Sequence, residues 1–100
     1  MDRNEVILRI GQIRSRANFS ARALSQRIGL NDGYINRLES KKDFLPTVEV
    51  LLRIIEACNS TPAEFFYYSI EAYKKDEQLI ELLKGIDNDK KSGLMLFLKK

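Results

Sequence analysis

The 100-residue sequence predicts an all-α fold, with five short helices in one small domain followed by one or two C-terminal helices. Three observations carry that expectation. Apolar residues recur three and four apart along most of the chain, which places them on single helix faces. Helix boundaries are marked by particular side chains. Ser20, Asn31, Thr47 and Thr61 can each cap a start, while Asn18, Gly29, Asn59 and Gly85 suit an end. Finally, Ser20 to Ser40, SARALSQRIGLNDGYINRLES, reads as two short helices joined by a tight turn.

Helix 1 is expected from near Arg3 to Ala17, with Val6, Ile10, Ile13 and Ala17 as its buried stripe. Phe19 precedes the Ser20 cap and can staple the entry to helix 2, which covers about Ala21 to Ile28. Helix 3 covers about Asp32 to Glu39. Leu24 and Ile28 share one face of helix 2, and Ile35 and Leu38 one face of helix 3. Pro46 biases Leu45 to an extended conformation and ends a polar, basic loop. Helix 4 then runs from about Val48 to Ala57, with Val48, Leu51, Leu52, Ile55 and Cys58 towards the core. Thr61-Pro62-Ala63-Glu64 is a capping box with proline at the first helical position, and it starts a short helix 5. Phe65 and Phe66 should close the core. Residues 70–84 read as another helix, and Asp87-Asn88-Asp89 can cap a last one.

Composition narrows the function. The longest apolar run, Leu94–Leu98, is far too short to span a membrane, and the opening residues do not resemble a signal peptide. One cysteine and no histidine rule out an internal disulfide and leave no zinc cluster. No catalytic set and no glycine-rich phosphate loop is present, so neither an enzyme nor a cofactor is expected. The chain reads as cytoplasmic, with no small-molecule ligand evident. Its net charge of +3 is unevenly placed. Seven basic residues lie between Arg14 and Lys42 against Asp32 and Glu39, whereas Arg53 alone faces four acids from Asp43 to Tyr68. Such a basic stretch suits phosphate binding.

Two helices around a glycine-containing turn describe a helix-turn-helix, whose second helix can enter a DNA major groove. From about Val6 to Phe66 the sequence resembles the Cro/C1-type (XRE) domain of lambdoid phage repressors and bacterial regulators. Gly29 falls at the family's turn, Ile35 and Leu38 at its buried positions, and Ser25 where a small residue lets the helices cross. The resemblance implies a lambda-repressor-like DNA-binding domain over residues 1–68. It also implies a bridge from Arg14, late in helix 1, to Glu39, near the end of helix 3. It places Ser20 and Arg22 at a phosphate, with Lys41 and Lys42 in the following loop as further phosphate contacts. The base-reading positions are Asp32, Gly33, Tyr34, Asn36 and Arg37. Phage repressors often carry glutamine or serine where this chain has Asp32, Gly33 and Tyr34, which leaves Asn36 and Arg37 as the expected readers. Asn suits adenine and Arg suits guanine, and Asp32 could accept only from cytosine N4. In the blander alternative Tyr34 packs on helix 2, Arg37 is solvated and Ser20 is only a cap.

After Tyr68 the resemblance ends. Leu79, Leu82, Leu83 and Ile86 form one narrow stripe, and Leu94, Phe97 and Leu98 a second. A lone two-helix hairpin is marginal, so residues 70–98, within a 69–100 segment, are expected to pair with a second copy. An intramolecular lid is the alternative. The reading is a homodimeric, sequence-specific regulator of transcription bound to double-stranded DNA. The other possibility is a protein-interaction module that kept the fold and lost operator binding.

Overall fold

Side chains set most of the helix ends. In a computed structural model, which describes residues 1–41, 43–85 and 87–98 apart from the side chains of Leu83, Lys91, Leu94 and Leu98, α1 (Arg3–Arg16) begins at Asp2. The Asp2 carboxylate accepts the Glu5 N–H at 2.9 Å. α2 (Ala21–Arg27) begins at Ser20, α4 (Val48–Ala57) at Thr47 and α5 (Pro62–Phe65) at Thr61, each hydroxyl accepting an N–H three residues on. These are donors the helix itself cannot satisfy. α1, α2 and α4 also close alike. Asn18, Gly29 and Asn59 take positive φ of 61°, 80° and 57°, and the following N–H of Phe19, Leu30 and Ser60 bonds the carbonyl five residues back. At Gly29 nothing lies within 4 Å of where a Cβ would stand, so only the backbone conformation asks for glycine.

α3 (Tyr34–Lys41) starts two residues later than the sequence suggested. Asn31 does not cap it. The Asn31 side chain instead accepts from Gly33 N at 3.2 Å, closing a local turn that holds Asp32 and Gly33 outside the helix. Gly33 supplies the first acceptor of α3, its carbonyl bonding Arg37 N at 3.0 Å. That is an N-cap position, which glycine tolerates, so Gly33 carries no helix-interior cost. Lys41 belongs to the last turn of α3 rather than to the loop, and Lys42 lies outside the described residues.

The chain divides into two compact units, Met1–Phe66 and Tyr67–Lys100. In the first, α3 packs on α2 and α1, α4 packs on α1 and α2, and α5 packs on α4. The core is Ile7, Ile10, Ile13, Leu24, Ile28, Ile35, Leu38, Ile54, Ile55, Cys58 and Phe65. Four expectations fail here. Val48 (74% exposed) and Leu52 face outward, and Ile54 takes their place in the core. Val48 shares the face of Ile55, seven residues on, but stands exposed at the first residue of α4, and Leu52 lies beside the exposed Glu49 and Glu56, off the stripe of Ile54, Ile55 and Cys58. Phe66, past the end of α5, is 54% exposed and only Phe65 closes the core. On α1, Ile7 replaces Val6, which is half-buried.

The second unit holds α6 (Ile70–Lys84) and α7 (Asn88–Leu98), so the C-terminal segment carries two helices. Asp87 caps α7 by accepting Lys90 N at 2.8 Å. Near the start of α6, the Tyr67 and Tyr68 hydroxyls both donate to Asp76 Oδ2, and the Tyr67 ring meets Tyr73 edge-on at 5.3 Å. Leu79, Ile80, Leu82, Met95, Leu96 and Phe97 are exposed. Ile86 and the side chains of Leu83, Leu94 and Leu98, also assigned to the apolar stripes, lie outside the described residues. Among the described residues there is no strand, and no helix is long and apolar enough to cross a membrane.

Candidate nucleic-acid interface

α3 is held from behind by two apolar anchors and two polar ones. Ile35 and Leu38 are fully buried. Ser25, itself fully buried on α2, donates to Ala21 O at 2.8 Å and accepts from Ile35 N at 3.0 Å. A hydroxyl from α2 thus satisfies one of the donors left open at the start of α3. From α1, Arg14 forks onto Glu39, with Nε to Oε1 at 2.9 Å and Nη2 to Oε2 at 3.0 Å. The remaining Nη1 donates to Phe19 O at 2.9 Å. A bidentate pair fixes orientation as well as distance, so the roll and tilt of α3 are set from both neighbours.

This leaves Asn36 and Arg37 exposed on the outer face of α3, with Asp32 and Gly33 exposed in the turn before it. Tyr34 is half-buried and does not lie open as a reader. Its ring meets Phe44 edge-on at 5.8 Å, and burial pushes its phenol above the ordinary value while the nearby Arg37 charge offsets part of that. A helix-turn-helix family model matches residues 10–65, more than half of the chain and all of α2 and α3.

The chain belongs to the Cro/C1-type (XRE) helix-turn-helix family.

Comparisons with curated proteins and with solved structures found no match. The family is one of DNA-binding helix-turn-helix domains typical of transcription regulators, and it is not an enzymatic one.

Within this helix-turn-helix the structure brings together two residues that the sequence placed in separate roles. Arg22 Nη2 lies 3.2 Å from Asp32 Oδ2, and Gln26 Nε2 donates to Asp32 Oδ1 at 3.1 Å. Both oxygens of Asp32 are therefore engaged by α2. Arg22 does not stand as an unpaired phosphate ligand. Sequence reasoning missed Gln26, although Arg22 and Gln26 are four apart and share a face of α2. Ser20 caps α2, and Lys41 is exposed.

A second polar group was also missed. Arg9 is buried on α1 and donates to Phe65 O at 2.8 Å and to Glu5 at 3.1 Å. Arg16 reaches the buried Glu64 of α5, which also accepts from Ser60. The bond to Glu64 raises the Arg16 pKa further. The i,i+4 spacing of Glu5 and Arg9 was a legible signal, but the pairing of Arg16 with Glu64 spans 48 residues and had none.

Proposed function

We propose that the protein is a sequence-specific DNA-binding transcriptional regulator that lays α3 in the major groove as a homodimer. The observation that carries this reading is the α3 mounting. Its inner face is locked by Ile35, Leu38, Ser25 and the Arg14–Glu39 fork, while Asn36 and Arg37 project from the other face. A helix fixed in roll and tilt presents its outward side chains reproducibly, as base reading requires. On this reading Asn36 and Arg37 specify sequence. Ser20, Lys41 and Lys42 hold the backbone, and Arg22 joins them once released from Asp32. Residues 1–68 would act as the DNA-binding domain and residues 69–100 as the pairing segment. The exposed Leu79, Leu82 and Phe97 are apolar surface that a second copy would cover.

The second reading is a protein-interaction module on the same fold. Asp32 favours it, because an acid at the DNA-facing turn opposes the phosphate field. Selection from a random duplex pool separates the two. Enrichment of a motif, lost as salt rises, supports the regulator. Recovery of unenriched sequence at every salt concentration supports the module.

A further inference from the structure

We propose that Asp32 is a built-in competitor for DNA, holding Arg22 and Gln26 in the place a phosphate would take and so limiting affinity for every sequence. This rests on the DNA reading above and assigns Asp32 a role other than base reading. Arg22 and Gln26 project from one face of α2, and both turn to one carboxylate in the neighbouring turn. A carboxylate that accepts from a guanidinium and an amide presents to them the chemistry of a backbone phosphate, a pair of anionic oxygens. The pair is exposed, Arg22 by 72% and Asp32 by 55%. Exposed pairs contribute little to folding, so its main effect falls on an approaching anion. Binding DNA through Arg22 requires exchanging Asp32 for phosphate. The uncompensated Asp32 charge then remains beside the DNA, and one fewer counterion is released than the count of basic residues suggests.

Fluorescence anisotropy of the full chain with random-sequence duplex, across a salt series, tests this. Asp32→Asn keeps an acceptor for Gln26 and removes the charge. The variant is expected to bind all duplexes about two- to tenfold more tightly at about 0.1 M salt, with the slope of log K against log salt steeper by about 0.9. Glu56→Gln, an exposed acid on α4, is expected to change neither. Equal tightening by both variants would reduce the effect to net charge and overturn the inference. So would Asp32→Asn binding like the wild type, or weakening only duplexes with a cytosine at one position. If neither the wild type nor Asp32→Asn binds duplex at about 50 mM salt, the DNA reading itself falls and takes this inference with it. Wild-type binding with an unmoved variant removes this inference alone.

Discussion

Arg14 serves three acceptors at once, two carboxylate oxygens of Glu39 and the Phe19 carbonyl that follows α1. Removing it orphans all three, whereas removing Glu39 as well leaves only the carbonyl to be resolvated. Arg14→Met should therefore destabilise by about 2 kcal/mol, and the double change Arg14→Met, Glu39→Leu by less, because the single variant leaves a half-buried carboxylate unpaired. Urea denaturation of both measures it, and equal losses would contradict the account. The two positions could be matched to each other only through the family resemblance, since no periodicity links residues 25 apart. Ser25 shows the opposite case. Its small size was legible as a helix-crossing requirement, but its hydroxyl's bond to Ile35 N was not, because that bond exists only once α3 is docked.

At the scale of elements, α3 divides its exposed side chains by height along the helix. Arg37 lies one turn in, and Lys41 sits at the C-terminal end. Arg37→Ala should cost about 1–3 kcal/mol at one base position and relax the choice there. Lys41→Ala should weaken all sequences alike and lower the salt slope by about one. Binding of single-base variants of the selected site distinguishes them, and a uniform loss from Arg37→Ala would reverse the roles. The starts of helices 2, 4 and 5 were legible to the residue because Ser20, Thr47 and Thr61 carry local capping information. The start of α3 was not, because Asn31 has two local options and takes the tight turn with Gly33 over the helix cap. Outward Val48 and Leu52 were misjudged for a related reason, since α4 is apolar on more of its circumference than it buries. Just before α6, the bond to Asp76 pushes the Tyr67 phenol up to about 12. A raised folded value means that this proton supports the folded second unit fully below pH 10, the ordinary tyrosine value, and that the support is lost as pH rises through about 12. Ultraviolet titration should show Tyr67 as the last tyrosine to titrate, and Asp76→Asn should bring it back towards 10. A titration indifferent to that change would remove Asp76 as the cause.

For the whole molecule, the proposed division of labour predicts a change of mass on truncation. The full chain should sediment as a dimer and a chain ending at Ser69 as a monomer that keeps its helical signal. Two dimers, or two monomers, would refute the assignment of pairing to residues 70–98. That the first unit gathers a core of its own was readable from the apolar stripes of helices 1 to 5. The use made of the second unit's apolar surface was not, because a stripe of leucines states only that something must cover it.

Cys58 gives the protein an internal clock. It is the sole thiol in the chain, it is 1% exposed, and burial holds it protonated against the opposing charges of Arg14 and Arg16. A thiol in that state reacts with an alkylating reagent only during excursions that open the core, so the labelling rate counts those excursions. Any ligand that prefers the closed form must slow the count. Saturating DNA at about 100 times its Kd should lengthen the labelling half-life by about 100-fold, without the thiol touching the duplex. An unchanged half-life in the presence of bound DNA would show that the core opens as readily on DNA as off it.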